Sequence, residues 1–243
     1  MRVGSDVDEQ ALSIAETFVS LQGEGKLAGV ASWFVRVSGC NLRCRWCDTP
    51  YASWSPEGGV RSVASLASEA RSSGVGHAVV TGGEPMMFGG VAVLARALRE
   101  VGLHVTIETA GTVWRETACD LMSISPKLGN STPVEGDGRD PGGVWRVRHE
   151  ERRVDVGVVQ RLLDAHGERQ LKFVVMEERD LEEVEGLLAR LRGWRREEVM
   201  LMPEGVERSV EGRTGWVVRA CVERGWRYCH RLHIELFGNR RGT

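Results

Sequence analysis

Three cysteines stand close together in Cys40-Asn-Leu-Arg-Cys44-Arg-Trp-Cys47, a C-x3-C-x2-C run. Thiolates on one loop can each bind a different iron of a cubane cluster and leave the fourth iron open to a ligand. A structural zinc ion takes four closed ligands, so the run falls one short unless His104, Cys119 or Cys229 completes the set. A thioredoxin-like pair at Cys44 and Cys47 leaves Cys40 without a role. The triple spacing favours iron–sulfur chemistry over both.

Further candidates lie at the ends of apolar runs. Thr81-Gly-Gly-Glu-Pro85 follows HAVV, and Ser125-Pro-Lys127 follows LMSI. Glycines there let a ligand approach the backbone, although an ordinary strand-to-helix turn uses them too. All but three of the 32 basic residues are arginine, which singles out Lys26, Lys127 and Lys172, because the two cations are not interchangeable at a site. In Trp33 to Val37, side-chain alternation puts Trp33, Val35 and Val37 on one face and Phe34 and Arg36 on the other. Inside a barrel the Arg36 guanidinium needs a partner. Glu16 and Glu108 are candidates within the chain.

The elements that must position these residues alternate. Strands are predicted over Ile14 to Leu21, Trp33 to Val37, His77 to Thr81, Leu103 to Thr109, Leu121 to Ile124, Leu171 to Val175 and Val199 to Met202. Helices are predicted over Val63 to Arg71, Val91 to Val101, Val154 to His166, Leu181 to Arg192 and Val217 to Arg224. The alternation gives an α/β fold with parallel strands, a partial (βα)6-type TIM-like barrel, with an open doubly wound sheet as the alternative. One domain over 1–243 is expected. Within it, 128–153 is rich in Gly, Pro and charge and reads as an insertion or a lid, with Trp145 arguing for partial order.

Composition sets the class. The chain has 243 residues, 42% hydrophobic and 27% charged, the balance of a globular protein. A formal net charge of -2 makes no electrostatic case for nucleic acid or an anionic membrane. No apolar run approaches the roughly 18 residues that span a bilayer. The N-terminal MRVGSDVDEQ carries no signal-peptide pattern, so the six cysteines are expected reduced and the protein cytoplasmic.

The cysteine spacing resembles that of the radical S-adenosylmethionine (SAM) superfamily. Leu21-Gln-Gly-Glu-Gly25, Phe34-Val-Arg36, Trp46-Cys-Asp-Thr49, Thr81-Gly-Gly-Glu-Pro85, Glu108-Thr-Ala-Gly111, Ser125-Pro-Lys127, Leu171-Lys-Phe-Val-Val175 and the tail from Leu232 to Thr243, in that order, resemble the 7-carboxy-7-deazaguanine synthase family. The likeness runs from about Ile14 to the C-terminus and fails only over the insertion. It implies a radical SAM core with one [4Fe–4S] cluster on Cys40, Cys44 and Cys47, SAM, and a Mg²⁺ ion at Thr49. By the same resemblance SAM lies against Trp46, Cys47, Asp48, Gly83, Glu84, Ser125, Pro126, Lys127, Met202 and Pro203. Leu21, Gln22, Gly23, Arg36 and Thr81 would bind the substrate, 6-carboxy-5,6,7,8-tetrahydropterin. The reaction implied is hydrogen abstraction, ring contraction and loss of ammonia to give 7-carboxy-7-deazaguanine, on the way to queuosine- or archaeosine-type 7-deazapurines. The partners implied are a flavodoxin or ferredoxin as electron donor and a second copy in a homodimer, with no nucleic acid and no membrane. Two other readings compete: a glycyl-radical activase of the same superfamily, and a non-catalytic iron–sulfur or zinc module. LQGEG and WCDT argue against the first, and the second leaves GGEP and SPK as coincidences.

Overall fold

The computed structural model describes residues 10–207 and 214–243, so most of the N-terminal stretch discussed above lies outside it. The chain begins with β1 (Ala11–Leu21) and β2 (Ala31–Val37). The cysteine loop follows, then β3 (Gly59–Ser62), α1 (Val63–Ser72), β4 (His77–Gly82), α2 (Gly90–Glu100), β5 (His104–Thr109) and β6 (Leu121–Ile124). After these come α3 (Val144–Arg152), α4 (Val156–Ala165), β7 (Arg169–Val175), α5 (Asp180–Leu188), β8 (Val199–Pro203), α6 (Gly215–Arg224), β9 (Arg227–Tyr228) and α7 (Leu232–Phe237).

Among the described residues all nine strands join one sheet in the order β3-β1-β2-β4-β5-β6-β7-β8-β9. From β2 through β9 every neighbouring pair is parallel, whereas β1 runs antiparallel to β2 and β3 antiparallel to β1. The terminal strands β3 and β9 do not pair, so the sheet stays open, consistent with the partial barrel expected from the alternation. The sequence patterns missed β3, β9, α3 and α7. The first two are four and two residues long, too short to carry a period. The helix α3 is so rich in Arg and Glu that almost no apolar stripe marks it.

Side-chain alternation divides the sheet into two environments. Trp33, Val35 and Val37 of β2, Val105 and Ile107 of β5, and Leu171, Phe173 and Val175 of β7 join the main core under the helices. Polar groups face the other way and are bonded to one another. His77 links Ser32 Oγ at 2.7 Å and Thr106 Oγ1 at 2.8 Å, and Gln170 Nε2 donates to Ser123 Oγ at 2.8 Å. Burial pushes the His77 imidazole down to about 4, so it remains neutral in this chain of bonds. Among the described residues no helix is long and apolar enough to cross a membrane.

Phe173 is fully buried in the main core, whereas Val222 on α6 is 76% exposed. Phe173→Ala should destabilise the fold by about 3–5 kcal/mol, and Val222→Ala should stay within about 0.5 kcal/mol of the wild type. Denaturant midpoints at equal slope test both.

Candidate active site

A cavity opens at the C-terminal ends of the parallel strands, where the polar side of the sheet meets the loops. The cysteine loop forms one wall. Cys40, Cys44 and Cys47 all line the cavity, and all six cysteines are free thiols. The Leu42 amide donates to Cys40 Sγ at 3.4 Å, and Cys47 Sγ lies 3.2 Å from Ser53 Oγ. Burial pushes the Cys40 thiol up to about 12, helped by the Glu84 carboxylate, and pushes Cys44 up as well. Buried thiolates therefore need a positive partner, which a cationic iron cluster supplies. Among the described residues no three metal-binding side chains converge as on one ion. A cubane does not require convergence, because each thiolate binds a different iron.

Close packing holds the loop against the sheet. Gly82 ends β4 and Gly83 follows it, and a Cβ on Gly83 would fall 1.9 Å from the Gly39 carbonyl oxygen. The Gly83 amide donates to Val37 O at 3.1 Å and the Glu84 amide to Gly39 O at 2.9 Å. The glycines are thus required by the neighbouring backbone. Gly83 lines the cavity as well.

The opposite wall is prepared in pairs. A register shift in β1 between Ile14 and Glu16 sets Glu16 opposite Arg36. Strict alternation would have kept Glu16 on the Ile14 face; the extra residue turns it to the cavity side. Arg36 Nε donates to Glu16 Oε1 at 2.8 Å, and the Tyr51 hydroxyl donates to the same oxygen at 2.6 Å. This is one of the two ion pairs considered from the sequence. It uses only Nε, and among the described residues neither terminal nitrogen of the fork has a hydrogen-bond partner. Gln22 Nε2 and Thr81 Oγ1 converge on Glu108, at 3.1 Å and 2.7 Å.

A third group was not anticipated. Lys172 Nζ donates to Glu24, and Arg231 Nε donates to the same carboxylate at 3.3 Å. Arg231 Nη2 reaches Asp48 Oδ2 at 2.5 Å, and its Nη1 reaches the Gly205 carbonyl. Burial alone would raise the Glu24 carboxyl, but the Lys172 and Arg231 charges outweigh it and hold the group well below the usual range. Burial likewise disfavours the Lys172 ammonium, and Glu24 overcomes it, raising that amine above its usual value. The α7 segment seals this corner, since a Cβ on Gly23 would meet His233 Nδ1 at 1.9 Å.

Fifteen of the site residues expected from the sequence gather at this cavity, among them Leu21, Gln22, Gly23, Trp46, Asp48, Thr49, Ser125, Lys127 and Met202. Lys127 is half-buried, and its Nζ donates to Ser125 O at 2.7 Å and Ser125 Oγ at 2.9 Å. Three expected residues stand off the cavity wall. Glu84 is fully buried behind the wall, where it accepts from the Met86 amide, Thr109 Oγ1 and the Ala110 amide. Pro126 does not line the cavity, and Pro203 borders the adjoining groove. None of residues 128–153 lines the cavity, and the segment bonds to the cysteine loop where Ser131 O accepts the Arg45 amide. Glu24, Glu108, Lys172, Arg231 and His233 were missed as site residues. All but Arg231 lie within motifs the sequence already displays, and Lys172 was one of the three lysines set apart.

An open, mostly parallel sheet with a three-cysteine loop after β2 is the radical SAM arrangement, and the Radical SAM superfamily model matches residues 34–130. That class uses a [4Fe–4S] cluster and SAM. A 7-carboxy-7-deazaguanine synthase of Rhodopirellula baltica is 45% identical over 97% of this chain and 90% of its own length. One from Halobacterium salinarum is 44% identical over 96% of this chain and 93% of its own length. The crystal structure of QueE from Escherichia coli superposes with a TM-score of 0.71 at 25% identity, covering 96% of this chain and 100% of that one. The chain belongs to the 7-carboxy-7-deazaguanine synthase family.

Removing one member of the buried web leaves the others uncompensated. Glu24→Gln should cost about 3–5 kcal/mol at neutral pH, and adding Lys172→Met should recover part of it. Glu24 has a depressed folded-state pKa, so its contribution is present above its usual value and lost as pH falls below it. The gap between wild type and Glu24→Gln should therefore shrink as the pH drops below 4.5. Urea melts at pH 7 and at pH 3.5 check the sign.

Proposed function

We propose that this enzyme converts 6-carboxy-5,6,7,8-tetrahydropterin to 7-carboxy-7-deazaguanine with loss of ammonia. The observation that carries the reading is Arg36: a half-buried guanidinium, hydrogen-bonded among the described residues through Nε alone, lines the cavity that the three cysteines share. Its geometry suits the substrate carboxylate. Glu108, fixed by Gln22 and Thr81, faces the same space and suits the amino–imino edge of a pterin. The cysteines hold the cluster, and Gly83, Ser125, Lys127 and Met202 border SAM. Bound together, cluster and SAM supply a 5'-deoxyadenosyl radical, and the protein's share is to orient the substrate beside it and exclude water.

Thr49 gives a magnesium ion its protein oxygen, with the remaining positions taken by water and substrate oxygens. Asp48 beside it is already committed to Arg231, which supports a neutral ligand here. We propose further that the chain acts as one catalytic domain carrying the 128–153 insertion. The family resemblance adds an electron donor of the flavodoxin or ferredoxin class, a homodimer and a cytoplasmic setting.

The test is reduced, reconstituted protein given SAM, Mg²⁺ and the carboxytetrahydropterin, with product read by mass spectrometry. No deazaguanine from protein that holds a cluster and cleaves SAM sinks the reading. A glycyl radical on an added protein would point to the activase, and tight zinc without iron to a non-catalytic module.

Arg36→Lys keeps the charge and loses the fork. Its KM for the pterin should rise about tenfold or more, the worth of one charge-assisted hydrogen bond, while slow uncoupled SAM cleavage persists. For Thr49→Ala the Mg²⁺ dependence of turnover should weaken; full wild-type activity in chelator would remove the ion from this site.

A further inference from the structure

The insertion meets the cysteine loop through a set of bonds that no substrate or SAM contact explains. His149, fully buried on α3, accepts the Arg43 amide at Nδ1, 3.1 Å away. An amide N–H can only donate, so Nδ1 must be the bare nitrogen and Nε2 must carry the proton. That proton goes to Ser131 Oγ at 2.8 Å, and Ser131 in turn donates to Leu128 O at 2.6 Å. The carbonyl of the same Ser131 accepts the Arg45 amide at 2.8 Å. Two loop amides, one on each side of Cys44, are thus held by the insertion, one by His149 of α3 and the other by the turn at Ser131.

The neighbouring residues are gripped as well. Trp46 Nε1 donates to Asn130 O at 3.1 Å, and Asn130 is anchored to the sheet through Val174 O and Asp180 Oδ2. The Arg43 guanidinium lies 3.9 Å over the Trp145 ring, and its Nη1 donates to the carbonyls of Cys40 and Leu42, each at 2.7 Å. The span from Cys40 to Cys47 contains no helix or strand of its own. A loop without internal ladder bonds must obtain its shape from outside, and a cluster tolerates little error in where three thiolates stand.

We infer that residues 128–153 brace the cluster loop and that His149 is the positioning residue which holds its backbone in ligand-ready shape. The inference rests on the assignment of Cys40, Cys44 and Cys47 as cluster ligands, and the experiment separates the two. His149→Asn keeps an acceptor where Nδ1 stands, His149→Gln moves it towards Nε2, and His149→Phe removes it. Trp145→Leu, at a half-buried position, loosens the brace without touching the buried histidine.

Each protein is reconstituted anaerobically and reduced, and iron release to an excess of a ferrous chelator is followed by absorbance. The EPR spectrum of the reduced cluster and the melting temperature of each apoprotein are recorded beside it. His149→Gln and His149→Phe should lose iron about 10–100-fold faster than wild type, the usual effect of removing a group that orients metal ligands. Trp145→Leu should lose it faster by a smaller factor, and His149→Asn should match wild type in rate and EPR line shape. Equal iron loss from wild type, His149→Gln and Trp145→Leu overturns the brace. So does a rate that follows apoprotein melting temperature regardless of where the acceptor sits. If wild type binds no cluster, or Cys40→Ala keeps four irons, the ligand assignment fails instead.

Discussion

Everything at this site follows from one constraint: a curled sheet of parallel strands has an inside that must be polar enough to bind and dry enough to protect. Alternation meets the first half, sending one side chain to the helices and the next to the cavity. The second half demands that each charged or polar side chain facing the cavity keep a protein partner in the absence of ligand. Arg36 is met by Glu16, Lys172 by Glu24, and Gln22 and Thr81 by Glu108. The register shift in β1 shows how strict this is, since without it Glu16 would stand on the wrong face of the sheet.

Such pairing also preorganises. A guanidinium fixed by one nitrogen presents the other two in a set direction, so little side-chain freedom is left to lose when a carboxylate arrives. The carboxylate of Glu108 is likewise held at both oxygens. Loops then need to supply only what the strands cannot: thiols, a hydroxyl at Thr49, and backbone. Their own shape is borrowed from remote sequence, from Gly83 pressing on Gly39 and from Ser131 and His149 behind the cysteines.

Much of this was legible in the residues. Apolar runs such as HAVV and LMSI announce strands, and the three-cysteine spacing with LQGEG, GGEP and SPK announces a site at their ends. Arg36 could be placed on the cavity side from alternation alone. What stayed hidden depends on distance in sequence. Nothing near Glu24 says that Lys172 and Arg231 will be its partners, separated from it by 148 and 207 positions. Glu84 read as a ligand contact because its motif sits beside one, yet its carboxylate turns inwards to the amides of Met86 and Ala110. The insertion read as a lid because a charged, Gly- and Pro-rich stretch has no period. Its order comes from a few contacts, above all His149.

The corner formed by Arg231 and His233 has a consequence for how the molecule comes into being. A ribosome emits the cysteine loop early, and most strands that build the sheet before the final turns of the chain. Arg231, which ties Glu24 to Asp48, and His233, which packs on Gly23, arrive after β8 and β9. A nascent chain therefore possesses its interior before it possesses a finished doorway. A premature stop after β9 would spare most of the buried mass while leaving Glu24 and Asp48 without their shared cation, a lesion confined to the corner that is made last.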